Sequence, residues 1–126
     1  MWYRSTSLRW FIFAVYLTVL FWLSLTPDPP TPEIELLAWD KMQHALAYGL
    51  LTAVGGWVFL AHISSRWKIW LGAALFAVLC GGLLEILQGL LTRTRQPDIL
   101  DLLADGVGIV IVAVVGLLLQ KRFNFQ

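Results

Sequence analysis

Four apolar segments dominate this sequence, and each has about the 20 residues that a helix needs to cross a bilayer. They lie at about 8–25, 42–61, 69–91 and 99–119. The segments are much longer than the strands of a membrane barrel and lack the barrel alternation of polar and apolar residues. Because backbone polar groups find no water in lipid, helices are the structure that satisfies them. The sequence predicts an all-α polytopic membrane protein, with residues 1–126 forming one domain of four transmembrane helices in a single bundle.

The composition agrees with this class and excludes others. Hydrophobic residues make up 59% of the chain and charged residues 13%, against about 45–50% and about 25% in soluble domains. A formal net charge of +1 gives no basic field, so we expect no nucleic-acid partner. The single cysteine, Cys80, excludes an intramolecular disulfide and a cysteine-based zinc site. No A-x-A cleavage site follows the first segment, which favours a retained helix over a signal peptide.

The first connection, residues 26–39, contains four of the five prolines and is predicted to be extended. Thr31, followed by Pro32 and Glu33, has the pattern of a helix N-cap. We therefore expect the second helix to begin there as an interfacial prelude to its span. The first span carries no acid, lysine or histidine after Arg9, and we expect it to serve mainly as a lipid-facing brace.

Small residues recur at four-residue spacing on the last three spans, a pattern that lets helix backbones approach closely. They are Ala45, Gly49, Ala53, Ala73, Ala77, Gly81, Ala104 and Gly108. We expect these faces to pack within the bundle, and a homo-oligomer interface is the alternative. Trp57, Trp67 and Trp70 are expected in an interfacial aromatic belt.

The distribution of lysine and arginine predicts the orientation of the spans. Six basic residues flank one side, namely Arg4, Arg9, Arg66, Lys68, Lys121 and Arg122. Three lie on the other side, namely Lys41, Arg93 and Arg95. Because positive residues accumulate on the cytoplasmic side, both termini are predicted to be cytoplasmic, in a multi-pass protein of the plasma membrane.

The polar residues of the spans converge at the outer end of this topology. They form three stretches: Asp40, Lys41, His44 and Tyr48; Glu85 and Gln88; and Arg93, Arg95, Asp98, Asp101 and Asp105. Spacings of three and four residues put each stretch on one helix face. At a rise of about 1.5 Å per residue, Glu85 and Asp105 lie at similar depth, and we expect them to face each other and His44. Charged residues in spans normally face the bundle interior or a cavity, which makes this cluster the candidate site.

Two kinds of chemistry fit these residues. Arg93 and Arg95 suit an anion clamp, because guanidinium groups bind phosphate or carboxylate with paired hydrogen bonds. Snorkelling to headgroups, or pairing with Asp98 and Asp101, is the alternative. His44 beside carboxylates suits a general base or a metal ligand, against a plain hydrogen-bonding role. The catalytic candidates are His44, Glu85 and Asp105, and the further ligand-binding candidates are Lys41, Tyr48 and Gln88. No particular metal or cofactor follows from the sequence.

Over nearly its whole length, the sequence resembles the VanZ-like membrane proteins. The matching residues are Leu25-Thr26-Pro27, Asp40-Lys41-x-x-His44-x-x-x-Tyr48-Gly49-x-Leu51, Glu85-x-x-Gln88 and Arg95-x-x-Asp98-x-x-Asp101-x-x-Ala104-Asp105-x-x-Gly108. The resemblance implies a small polytopic bacterial membrane protein, in a family named for a member associated with teicoplanin resistance. It also implies that the polar cluster is the functional centre. Asp105 departs from the family pattern, in which asparagine is more usual, and adds a titratable carboxylate.

We therefore expect an outer-leaflet pocket that binds an anionic lipid headgroup, a lipid-linked cell-wall intermediate or a glycopeptide. The alternative is an intramembrane enzyme acting on a lipid phosphate or ester. In that enzyme His44 is the base, Glu85 or Asp105 is the acid or a metal ligand, and Arg95 stabilises charge. A purely structural module and a proton-coupled carrier are further alternatives, although four helices leave little room for alternating access.

Labelling of single cysteines tests the predicted topology. In a Cys80→Ser background, Ser64→Cys and Thr94→Cys put one thiol in the second or third connection. A membrane-impermeant maleimide added to intact cells should label position 94 and leave position 64 unlabelled, because only the third connection is predicted outside. Labelling of position 64 alone would invert the topology and move the polar cluster to the cytoplasmic side.

Overall fold

The protein is all-helical in the computed structural model, which describes residues 5–123. Helix α1 spans Thr6–Leu25, the short helix α2 spans Glu35–Ala38, α3 spans Asp40–Phe59, α4 spans Arg66–Leu91 and α5 spans Ile99–Phe123. No strand occurs between residues 5 and 123, so the predicted all-α class is confirmed. Arg4, one of the six basic residues behind the predicted orientation, lies outside the described residues.

Three helices, α1, α4 and α5, are long and apolar enough to cross a membrane. They fit a multi-pass membrane protein. Helix α3 has a spanning length of 20 residues, but its first turns carry Asp40, Lys41, Gln43 and His44, which make it more polar than the other three. Its role as a fourth span therefore stays a prediction.

The first connection differs from the sequence prediction. Residues 27–34 are not helical, and α2 begins at Glu35 with Ile34 at its N-cap position, so the helix start predicted at Thr31 is wrong. Residues 31–34 continue the non-helical connection, and Ile34 is still extended, with φ −75° and ψ 118°. Trp39 is also extended and separates α2 from α3.

The core is built on the contact between α3 and α5, the most extensive between any two helices. A Cβ atom added to Gly108 would lie 1.9 Å from the carbonyl oxygen of Ala45, and one added to Gly49 would lie 3.2 Å from the carbonyl oxygen of Gly108. The two backbones are therefore in direct contact. For these three residues, the predicted packing within the bundle is confirmed.

Trp70 of α4 fills the space that glycines leave nearer the carboxyl ends of α3 and α5. Cβ atoms added to Gly56 or Gly116 would lie 2.5 or 2.4 Å from its ring. Its Nε1 donates a hydrogen bond to Gln120 Oε1 over 2.9 Å. Because Trp70 is only 9% exposed, the ring packs inside the bundle and does not face lipid as the side chains of an aromatic belt do.

Helix α1 is attached to the bundle near both of its ends. Arg9 Nη1 donates to the carbonyl oxygen of Trp57 on α3 over 2.8 Å. At the other end, Gln88 Nε2 of α4 donates to the carbonyl oxygen of Ser24, also over 2.8 Å. These two bonds hold α1 antiparallel to α3 and put the carboxyl end of α1 beside the carboxyl end of α4.

The contact between α3 and α5 predicts a large difference between two glycine substitutions on α5. Gly108→Ala should destabilise the protein by ~3 kcal/mol, the upper end of the usual cost of overpacking, because its methyl group meets a backbone oxygen. Gly106→Ala is the matched control, since an added Cβ there meets nothing within 4 Å and alanine favours a helix. Apparent melting temperatures come from size exclusion of heated, detergent-purified protein. Equal values for the two variants would contradict the backbone contact.

Candidate functional site

Lys41 joins the start of α3 to the start of α5 through an ion-pair network. Its Nζ donates to Asp98 Oδ2 over 2.8 Å, to Asp40 Oδ2 over 3.3 Å and to Asp101 Oδ1. The hydrogen bond from Lys41 lowers the pKa of Asp98 below its ordinary value. Lys41 pairs with Asp98 and Asp101 because the amino ends of α3 and α5 lie side by side. The sequence suggests this pairing for Arg93 and Arg95 instead.

Asp98 caps the first turn of α5. Its Oδ1 accepts a hydrogen bond from the backbone nitrogen of Leu100 over 2.8 Å, which satisfies an amide that has no partner within the helix. Its own backbone nitrogen donates to Glu85 Oε2 over 3.0 Å. Glu85 therefore accepts a hydrogen bond from the start of α5, and its expected position facing Asp105 stays a prediction. The sequence Asp98-x-x-Asp101 before an apolar segment is a helix-start signal from which this capping role could have been identified.

His44 lies between the buried Asp105 and two carboxylates closer to the surface. Its Nδ1 is 2.8 Å from Asp105 Oδ1, and its Nε2 is 3.6 Å from Asp101 Oδ2 and 4.0 Å from Asp40 Oδ1. When Asp105 is ionised it only accepts hydrogen bonds, so the bond then runs from Nδ1–H to Asp105, while Nε2 lies on the side of the other two acids. The imidazole also stacks on the Tyr48 ring, with centroids 6.2 Å apart.

Asp105 is a carboxylate inside the bundle, only 2% exposed. Its Oδ2 is buried and has no hydrogen-bond partner within residues 5–123. Gly81 on α4 makes room for it, because a Cβ atom there would lie 2.9 Å from Oδ2. Burying a charge is costly unless it is paired, so His44 is the group on which Asp105 depends.

A partly open cavity of about 130 Å³ lies beside His44. Its polar lining residues are Ser24, Asp40, Gln43, His44, Tyr48 and Arg95, and its apolar ones are Leu20, Leu23, Pro29, Pro30 and Ala47. Helix α1 therefore forms one wall of the cavity at its carboxyl end, although few of its residues are buried, as expected for a lipid-facing brace. The sequence gives no signal for this wall, since Leu20 and Leu23 look like any residues of an apolar span.

Arg95 lines the cavity and also caps α1. Its Nη1 donates to the carbonyl oxygens of Leu23 over 3.2 Å and Ser24 over 3.0 Å. Gln88 donates to the same Ser24 oxygen. These carbonyls belong to the last turn of α1, where the helix offers them no partner. Of the two arginines predicted as an anion clamp, only Arg95 reaches the cavity, because Arg93 is exposed and does not line it.

No protein-family model, curated protein or solved structure matches this chain. The resemblance to the VanZ-like proteins is therefore a proposal that depends on the matching residues themselves. The chemistry of the site follows from its geometry, in which the cavity-lining His44 forms a hydrogen bond with the buried Asp105.

The Lys41 network predicts a stability difference that depends on pH. Lys41→Gln should lower the melting temperature at pH 7, because Asp98 and Asp101 lose their cation. Lys68→Gln removes an exposed lysine at the start of α4 and should change little. Because the folded-state pKa of Asp98 is lowered, the stabilisation is complete above the unfolded-state value of about 3.9 and is lost as the pH falls through the lowered value.

Differential scanning fluorimetry in detergent between pH 7 and pH 2 measures this effect. The gap between wild type and Lys41→Gln should shrink at the acid end. A gap that does not change with pH would mean that Lys41 stabilises the fold through its aliphatic stem.

Proposed function

We propose that this chain is a four-span membrane protein of the VanZ-like kind, which holds the polar headgroup of a membrane lipid or lipid-linked envelope intermediate beside His44. In this proposal α3 is the fourth span, both termini are cytoplasmic, and the cavity faces the outer leaflet of a bacterial plasma membrane. The uneven distribution of lysine and arginine supports that orientation. The residues shared with the VanZ-like pattern support the family.

The main support for this proposal is that the cavity has one polar wall and one apolar wall. Asp40, His44 and Arg95 offer charged and hydrogen-bonding groups, whereas Leu20 and Leu23 offer an apolar wall on α1. The apolar wall adjoins exposed apolar side chains of the same helix, including those of Val15, Val19 and Trp22. An amphipathic ligand whose headgroup lies at the polar wall and whose chain follows α1 matches both surfaces.

The size of the cavity limits what enters it. A cavity of about 130 Å³ holds a small polar group and its hydrating water. A phosphate or a few sugar hydroxyls fit this space, and a whole glycopeptide antibiotic does not. If the protein affects teicoplanin resistance, as its resemblance implies, it does so by binding a lipid in the cavity and not by binding the drug there.

Arg95 supplies the positive charge for an anionic headgroup. Both of its bonds to α1 are made by Nη1, and a guanidinium has further N–H groups on Nε and Nη2. Those groups suit a phosphate oxygen. The bonds to Leu23 and Ser24 also fix the direction of the side chain, which reduces the entropy lost on binding.

A second candidate function is supported by the contact between His44 and Asp105. A carboxylate that holds Nδ1–H leaves Nε2 free to act as a general base. In this alternative, Nε2 takes a proton from a water that attacks a lipid phosphate or ester, and then returns the proton to the leaving oxygen. Asp105 orients the imidazole and does not contact the substrate.

Substitution of His44 separates the two functions. His44→Gln keeps one hydrogen-bonding group and removes the base, and His62→Gln is the matched control because His62 is exposed and contacts Trp10 away from the cavity. For a binding protein, native mass spectrometry should find a co-purified lipid whose occupancy falls about tenfold in His44→Gln, since a bond to a charged group contributes about 1.5–3 kcal/mol. Whole-cell lipid extracts should not change.

For an enzyme, the lipid extracts should change in His44→Gln cells while the bound lipid persists. Equal lipid occupancy in the His44 and His62 variants, together with identical extracts, would contradict both functions.

A further inference from the structure

We infer that Asp40, His44 and Asp101 form a binding site for a divalent metal ion at the edge of the cavity. One ligand atom from each residue lies within 4.8 Å of the other two. His44 Nε2 is 3.6 Å from Asp101 Oδ2 and 4.0 Å from Asp40 Oδ1. Ligands at ~2.0–2.1 Å from a tetrahedral ion lie about 3.4 Å from one another. Small rotations, mainly of the exposed Asp40 side chain, therefore close these three groups around one ion.

Lys41 orients two of the ligands without taking the position of the ion. It contacts Oδ2 of Asp40 and Oδ1 of Asp101. The opposite oxygens, Asp40 Oδ1 and Asp101 Oδ2, are the ones that lie nearest to His44 Nε2. Each carboxylate thus uses one oxygen for the ammonium group and directs the other at the imidazole.

Asp105 gives an independent indication of a cation. Metal-binding histidines usually donate their second ring N–H to a carboxylate, which fixes the lone pair on the ligating nitrogen, and Asp105 holds His44 Nδ1 in this way. The Oδ2 atom of Asp105 is buried without a hydrogen-bond partner within the described residues. The Asp105 carboxylate adds its negative charge to those of Asp40, Asp98 and Asp101, which all pair with the single Lys41 ammonium group. A divalent ion compensates this excess charge.

The ligand set indicates which ions bind. One imidazole nitrogen and two carboxylate oxygens suit a first-row ion such as Mn²⁺ or Zn²⁺. Asp40 and His44 also line the cavity, so an ion held there has coordination positions open to it. Such an ion would let a cluster rich in carboxylates attract an anionic group. The inference itself concerns the ion alone and does not depend on the proposed function.

A titration of the full chain with MnCl₂ tests the site. Detergent-purified protein is stripped with EDTA, and free Mn²⁺ is followed by electron paramagnetic resonance. We expect saturable binding of one ion per chain, which ZnCl₂ displaces because Zn²⁺ binds nitrogen and oxygen ligands more tightly than Mn²⁺. Asp40→Asn should weaken the Kd at least tenfold, whereas Asp28→Asn, at an exposed acid in the first connection, should leave it unchanged.

Asp105→Asn probes the positioning role, because Asp105 does not contact the ion. Its substitution should weaken Mn²⁺ binding by about 10–100-fold, the usual effect of removing the carboxylate behind a histidine ligand. If this buried variant does not elute as folded protein, the exposed Asp40 variant decides the question alone.

Absence of saturable Mn²⁺ binding to the wild type overturns the inference and leaves a protonated His44 as the cation between Asp101 and Asp105. Equal Kd values for Asp40→Asn and Asp28→Asn also overturn the inference, since Mn²⁺ would then bind without needing the Asp40 carboxylate. Specific Mn²⁺ binding without a co-purified lipid would leave the metal site standing and would contradict the proposed headgroup binding.

Discussion

The arrangement of the polar residues depends on the direct contact between the backbones of α3 and α5. Gly108 lies against the carbonyl oxygen of Ala45, at a distance that no side chain on α5 would allow. His44 precedes Ala45, and Asp105 lies one turn before Gly108, so this contact brings the imidazole within 2.8 Å of the carboxylate. One turn further towards the helix starts, the same approach brings Lys41 to Asp98 and Asp101. A wider spacing of the two helices would separate every one of these pairs.

The features of the fold that arise from repetition could be predicted from the sequence. Long apolar segments give the helices, since lipid leaves the backbone few alternatives. The four-residue spacings of Ala45 and Gly49 on α3, and of Ala104 and Gly108 on α5, predict the close packing of these helices. The spacings of three and four residues around His44 on α3, and around Asp105 on α5, predict one polar face on each helix. Each of these signals extends over several turns, so an error at one position does not remove it.

The partners of individual polar side chains could not be predicted in the same way. Arg95 and Gln88 bond to backbone carbonyls of α1, and Glu85 bonds to a backbone nitrogen. Backbone groups are present at every position, so the sequence does not show which of them will be left without a helical partner near a given side chain. Trp70 shows the same difficulty, because its burial depends on Gly56 and Gly116, which lie on two other helices.

The polar cluster divides into two parts with different environments. Around Lys41, Asp40 is exposed, Asp98 is half-buried and Asp101 is buried, and these carboxylates connect the helix starts. Around His44, Asp105 is buried and one of its oxygens has no hydrogen-bond partner within residues 5–123. An arrangement that served only to hold the bundle together would be expected to satisfy this buried atom. The part around His44, which also borders the cavity, is therefore the one on which the proposed headgroup binding depends.

The double capping of α1 by Arg95 and Gln88 has a consequence for biogenesis. The chain is synthesised from its amino end, so α1 enters the bilayer long before residues 88 and 95 leave the ribosome. During that time the carbonyl oxygens of Leu23 and Ser24 must be satisfied by interfacial water or headgroups. Their permanent donors arrive only when α4 and the turn after it have been made. Final docking of α1 is therefore a late step in assembly, and the nascent protein has no complete cavity until most of its length has been translated.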